Sequence, residues 1–377
     1  MMQEKSNFDV IIIGGGLAGL CNAIHLSKYG KSVLLIEKNS YPKHKVCGEY
    51  ISNEVLSYLN YLDCNPFEFG AIKIDNFQLS TTNNKLISAK LPLGGFGISR
   101  FILDFELSKK AITNGVVILQ DAVLNINFKD EQFKVATKEN NTFTSKIAIG
   151  SFGKRSTLDV QLNRKFIKKK SPYLGIKLHV KGNHQKDIVA LHNFKGGYCG
   201  VSKVENDVIN LCYITSYTSF KKFKNIDDFQ DHIVFKNHFL KEIFENATPL
   251  FEKPLTISQI SFESKELVQN HLIFCGDAAG MIHPLCGNGM SMAIQSAQIV
   301  SPLIIDFLNG NINRNQLEKS YISKWNKEFK WRLKAGHFIA ALFRKDWIAN
   351  VLLRVIQKLP FLLPIIIKQT HGKSIKM

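Results

Sequence analysis

Acidic residues are scarce in this chain: its 377 residues hold 31 Asp and Glu against 49 Lys and Arg, a formal charge of +18. Disorder is excluded all the same, because 45% of the residues are hydrophobic and 11% aromatic, enough for a sizeable core and for two domains or one elaborated domain. Paired cysteines are also lacking. The seven present (Cys21, Cys47, Cys64, Cys199, Cys212, Cys275 and Cys286) are odd in number, scattered and without CxxC spacing, which excludes a disulfide framework and a zinc site and reads as reduced thiols. No run reaches the length of a membrane-spanning helix; the nearest, 359–367, is short and holds Pro360 and Pro364. The first residues lack the basic lead and small-residue cleavage site of a signal peptide, so a cytoplasmic protein is expected.

What is present is unevenly placed. Residues 330–377 carry ten Lys or Arg against the single acid Asp346, half of the net charge, interleaved with Trp331, Phe338, Phe343 and Trp347. Basic charge mixed with aromatic and aliphatic residues suits a membrane surface, on the inner face, better than nucleic acid. The same residues could instead pack over a cleft.

Near the N-terminus a β-branched run, DVIII at 9–13, meets GGGLAG at 14–19 and then a helical pattern. Strand, tight turn and helix in that order form a dinucleotide-binding unit. Gly14 permits the turn, Gly16 lets the backbone approach a pyrophosphate, and Gly19 lets the helix pack on the strand. The phosphates then meet the free N–H groups of the helix, at Leu17 and Ala18. Glu37 ends the second strand, where an acid hydrogen-bonds a ribose diol, and Lys38 follows it.

A second motif lies far along the chain, HLIFCGDAAGMIHPLCGNGMSMAIQSAQ at 271–298. It resembles the second FAD fingerprint of the superfamily that contains the aromatic-ring flavin hydroxylases, the flavin halogenases and the geranylgeranyl reductases. The resemblance implies FAD as cofactor, with Gly276 and Asp277 at the ribityl chain and Gly287, Asn288, Gly289 and Met290 against the flavin ring. A helix N-terminus there would stabilise negative charge on a reduced flavin. Further segments are similar to the same family. Arg100 opens a helix that contacts FAD in the family, although an ordinary surface arginine reads the same way. KHKVCGEYIS at 43–52 resembles the loop that nears the flavin, bringing in Lys45, Cys47, Gly48 and Glu49.

Candidates for catalysis are few. Cys47 could be a reactive thiol or a small buried hydrophobe, Glu49 an acid or a structural carboxylate, and His283 an acid–base group or a satisfied structural histidine. The family's Asp-Gly motif is altered at 146–159, where Phe152 replaces the aspartate, leaving Lys154 and Arg155 to meet phosphate or to form a solvated loop. There is also no second GxGxxG. NAD(P)H would therefore act only as a transient reductant, or a redox partner would supply the electrons.

The expected fold is α/β: a Rossmann-like FAD-binding domain of the glutathione-reductase type with a parallel sheet, an inserted antiparallel substrate domain and a helical C-terminal tail. Its parts are 1–70, 98–165 and 263–330 for FAD, 71–97 and 166–262 for substrate, and 331–377 for the basic amphipathic tail. The resemblance implies an FAD-dependent oxidoreductase, monooxygenase-like, acting on a small apolar or carrier-bound substrate. Three alternatives stand beside it: a double-bond reductase similar to geranylgeranyl reductase, a non-redox FAD cyclase, and a membrane-associated flavin electron carrier. No metal and no nucleic acid enter this reading.

Overall fold

An unbroken branched and apolar run, 10–13, follows Asn7 and Asp9 in the strand Asn7–Ile13, whose residues 10–12 are wholly buried. Each such side chain contributes about 1.5–3 kcal/mol by leaving water. Strands buried on both faces call for a parallel sheet covered by helices, and that is the arrangement here. The computed structural model describes residues 6–169, 171–343, 346–359 and 361–376; Pro360 and the side chains of Phe343, Asp346 and Trp347 lie outside the described residues. Asn7–Ile13 pairs in parallel with Val33–Glu37 on one side and Thr142–Gly150 on the other. Val117–Gln120 and Leu272–Phe274 extend the parallel set outward. The strands Val123–Lys129 and Gln132–Thr137 join it through an antiparallel meander ending on Thr142–Gly150.

The second sheet is mostly antiparallel. Tyr173–Lys181, Val208–Ser216, Gly197–Val204 and Ile188–Phe194 run in spatial order and lead to Ile72–Ser80, Leu86–Gly97 and the short Tyr50–Ser52. One contact, Ile188–Phe194 on Ile72–Ser80, is parallel. Tyr50–Ser52 thus joins this sheet from within the 1–70 segment. One face packs on the helices Ile226–His232 and His238–Glu245, around Phe229 and Leu240. The helical region between 226 and 245 is broken in two, because Asn237 caps the second helix with its side chain.

The other face of that sheet meets the C-terminal helices. Leu353 and Ile356 of Asp346–Lys358, with Leu363 and Ile367 of Leu362–Thr370, pack against Tyr50, Ile74, Leu79, Ile87, Leu91 and Val189. Between the two expected locations for the tail, these side chains lie on the cleft side. The helix before them, Arg314–Phe343, runs unbroken across residue 331.

One sequence expectation is corrected. The helix Gly289–Leu308 is long and apolar enough to cross a membrane, yet 67% of that stretch is buried, between the helices Leu17–Lys28 and Arg314–Phe343. Scattered Ser and Gln residues hide the run from a search for consecutive apolar positions; Ser301 uses its hydroxyl to bond Asn22 inside the core, at 2.9 Å.

Candidate functional site

One cleft of about 1660 Å³ among the described residues runs between the two sheets and ends under the C-terminal helices. Sites for small ligands commonly hold about 300–1,000 Å³, so this one has room for a dinucleotide and a second molecule.

At its first end lies the glycine turn. Gly14 has φ +100°, and a Cβ there would sit 2.6 Å from the Ser151 carbonyl. A Cβ on Gly19 would strike the Gly14 carbonyl at 2.1 Å, so Gly19 does not line the cleft but lets helix Leu17–Lys28 approach. Gly16, Leu17 and Ala18 do line it. Glu37 ties the turn to its strand: Oε2 accepts from the Gly15 N–H (2.8 Å) and Oε1 from the Asn39 N–H (3.0 Å) and side-chain amide (2.8 Å). A carboxylate has about four acceptor sites, so one remains for a ribose hydroxyl. Lys38 lines the same end. Tyr41, which no sequence signal marked, donates its hydroxyl to the Gly15 carbonyl at 2.6 Å.

Along the middle, charge pairs hold the walls. Arg100 grips Asp104 through Nε and Nη2, each at 2.7 Å, and Lys45 adds a third contact at 2.7 Å. Burial alone would raise the Asp104 carboxyl, but Arg100 and Lys45 outweigh it and hold it below the usual range. The guanidinium is thereby aimed at the glycine turn: Nη2 lies 3.7 Å from where a Gly16 Cβ would stand.

Glu49 is wholly buried at φ +53°, a strained conformation for a non-glycine residue. Three donors keep it there: the Arg100 N–H (2.8 Å), His179 Nε2 (2.7 Å) and Lys177 Nζ. Burial would raise its carboxyl, and Lys177 followed by His179 reverses this, leaving a fixed anion. It anchors the loop carrying Cys47 and Gly48, whose carbonyls accept from the Asn210 amide at 3.2 and 2.8 Å. Cys47 is partly exposed on the cleft wall.

The second motif faces the first. Gly276 (φ +63°) and Asp277 line the cleft, as do Gly287, Asn288, Gly289 and Met290 at the start of the long apolar helix. Lys265 holds this turn, donating to the Asp277 carbonyl (2.6 Å) and to that of Lys154 (2.9 Å); burial lowers its pKa to about 8. Phe152, standing in the place of the family's aspartate, packs edge-on against Phe274. Lys154 and Arg155 line the cleft beside it. His283 does not line the cleft: its Nδ1 accepts from the Leu285 N–H at 3.3 Å and its ring packs against Phe262.

The residues fit a flavin dinucleotide. A Cβ on Gly48 would meet nothing within 4 Å, and one on Gly289 would meet only Ile282 at 3.9 Å, so both backbones border open space. Asn288 Oδ1, buried on the cleft wall, has no partner among the described residues, although the same side chain's Nδ2 donates to the Thr370 carbonyl at 2.8 Å. Beyond these loops the walls become apolar, with Phe77, Leu79, Leu91, Leu191, Ile356 and Leu363.

Residues 9–46 match the family of FAD-dependent oxidoreductases and residues 236–346 match squalene epoxidase. Conditioned medium factor receptor 1 of Dictyostelium discoideum is 24% identical over 87% of this chain and 69% of its own. Digeranylgeranylglycerophospholipid reductase of Methanococcus vannielii is 24% identical over 87% of this chain and 84% of its own. The structure of the flavin-dependent brominase Bmp2 superposes with a TM-score of 0.78 at 18% identity, over 98% of this chain and 94% of that one. With two glycine turns bordering one cleft and these likenesses around them, the chain is an FAD-dependent oxidoreductase, an enzyme similar in sequence to the digeranylgeranylglycerophospholipid reductases and in fold to the flavin-dependent halogenases.

Proposed function

We propose that this enzyme oxygenates a long apolar substrate, in the manner of a monooxygenase. The observation that carries the reading is the continuity of the cleft: a polar, glycine-lined end runs without a break into an apolar chamber under the C-terminal helices. Bound FAD supplies the redox chemistry, and the protein binds, orients and shields. Gly16, Glu37 and Arg100 would hold the nucleotide end, Asp277 the ribityl chain, and Gly287 to Met290 the ring. Leu79, Leu91, Leu363 and Ile367 keep water from the chamber. The match of residues 236–346 to squalene epoxidase supports oxygenation.

A second reading, reduction of a double bond, is favoured by the reductases among the sequence relatives. In either case electrons come from NAD(P)H bound in passing or from a redox partner, a reading supported by the single GxGxxG and by Phe152.

Docking on the inner face of an anionic membrane fits the same picture. Trp331, Phe338 and Phe361 are 64%, 65% and 60% exposed, near the exposed Lys330, Lys334 and Lys368. Trp331 and Phe338 also line the cleft, so an apolar substrate would enter from the lipid side.

The test is to reduce the yellow holoenzyme with NADH or NADPH in air, with squalene and geranylgeraniol as probes, and to weigh the products. Gain of an oxygen atom supports oxygenation, gain of two hydrogens the second reading, and neither product with either probe counts against the apolar chamber as a substrate site. Sedimentation with anionic but not neutral vesicles tests the docking.

A further inference from the structure

Two residues that the proposed chemistry does not use meet at the boundary between the flavin-side loop and the apolar chamber. Tyr50 opens its strand directly after Glu49; His371 follows the last helix, 321 positions later in the chain. Their rings are 6.4 Å apart at 62°, and both side chains line the cleft. A Cβ on Gly287 would lie 3.4 Å from the Tyr50 ring, which places the pair beside the loop expected to face the flavin.

The protonation of each follows from its neighbours. His371 Nδ1 sits 3.0 Å from the Ile367 carbonyl, which can only accept, so Nδ1 carries the proton. Burial first, then Arg332, lowers the ring's pKa to about 4, so the ring is neutral and Nε2 presents a bare lone pair. Burial, with Glu54 adding to it, pushes the Tyr50 hydroxyl well above its ordinary range, so it keeps its proton. Neither Tyr50 Oη nor His371 Nε2 has a hydrogen-bond partner among the described residues. Buried polar atoms without partners are few in folded proteins, and each calls for a physical reason.

We infer that Tyr50 and His371 form the polar end of the substrate chamber, a donor and an acceptor that together hold one hydroxyl group on an otherwise apolar substrate. This rests on the chamber being the substrate site. A hydroxyl donates to Nε2 and accepts from Oη at once; an ether satisfies only Tyr50, a carboxylate cannot donate, and a pure hydrocarbon leaves both unpaired. The substrate class is therefore a long-chain alcohol or a phenol with an apolar tail. The pair sets specificity and register, placing the head group by the glycine loop while the tail extends between the second sheet and the C-terminal helices.

The experiment uses the FAD-loaded enzyme and displacement of a fluorescent apolar dye by decanol or by decyl methyl ether. Wild type should bind the alcohol about tenfold more tightly, the size of one buried hydrogen bond. His371→Phe should bring the two ligands to near equality, and the conservative Tyr50→Phe should weaken both to a similar degree, with FAD affinity unchanged in each variant. Equal binding of the two ligands by wild type overturns the inference, as does an alcohol preference that survives His371→Phe. Loss of FAD by either variant also overturns it, since the pair would then serve the flavin. Displacement by neither ligand would instead sink the chamber reading itself, and the pair with it.

Discussion

The two ends of the cleft are built by different means. At the nucleotide end, recognition lies in backbone geometry and ion pairs: the Gly14 turn, the Glu37 clamp, and the Arg100, Asp104 and Lys45 triad. At the substrate end it lies in side-chain surface gathered from distant segments, with Tyr50, Leu91 and Val189 meeting Ile356, Leu363 and Ile367. The first kind of site tolerates little, because a charge left unpaired or a Cβ in the wrong place has no way to relax. The second can lose a methyl group and still close. Changes at the first end should therefore remove FAD, and changes at the second should spare it.

The largest expected effect tests the ion pairs. Asp104→Ala leaves Arg100 and Lys45 without a counter-charge at a site where the carboxylate is 1% exposed. Breaking one side of a buried pair typically costs about 3–5 kcal/mol, and FAD should be lost with it. Denaturant melts and flavin absorbance after gel filtration check both parts; a stable, yellow variant would erase the contrast. Next comes Gly16→Val. A Cβ there meets only Arg100 Nη2, so the apo fold should keep its stability while the new side chain fills the phosphate path. FAD affinity should fall about 100-fold, near 2.7 kcal/mol, by fluorescence titration. Leu363→Ala, at the other end, should cost about 2 kcal/mol of stability with FAD affinity unchanged. If it released FAD, the two ends would not be independent.

The same contrast explains what the sequence could tell. Gly14, Gly16, Glu37, Asp277 and Gly287 to Met290 could be marked as candidates for one cleft wall because each motif is complete within a few consecutive residues. The strands at 173–216 were legible too, since their runs of branched and aromatic residues need no partner to be seen. Glu49 was legible only as a name: what fixes its role is Lys177 and His179, about 130 positions on, and nothing in local spacing announces them. His283 could be read from sequence either as an acid–base group or as a satisfied structural histidine, because proximity in sequence to Asp277 does not decide whether it reaches the cleft wall; the fold gives it structural contacts with Leu285 and Phe262. The tail's basic and apolar composition was visible, but its apolar side chains divide between the cleft and the surface. Leu353 and Ile356 are covered while Val351 and Val355 are 52% and 42% exposed, and only the fold draws that line.

The smallest effect separates the ends by pH. His192 belongs to the strand Ile188–Phe194 of the second sheet, 3% exposed, with Nδ1 2.9 Å from the Ser80 hydroxyl; burial, aided by His184 and His238, lowers its pKa to about 3. An unfolded histidine titrates near 6.5. Between those values the unfolded chain binds a proton that the folded one does not, so stability from this group is whole above about pH 6.5 and drains as pH falls toward 3. The carboxylates of Asp104 and Glu49 are depressed in the fold, so their contribution is lost only below the ordinary carboxylate range. His192→Phe removes the proton uptake without touching the cleft wall. Its melting temperature relative to wild type should rise by a few degrees as pH is lowered from 7 to 5, while the corresponding difference for Asp104→Asn stays flat over that window. A wild type and His192→Phe that lose stability in parallel would mean that this histidine is already protonated in the folded protein, and that the acid sensitivity of the substrate sheet lies elsewhere.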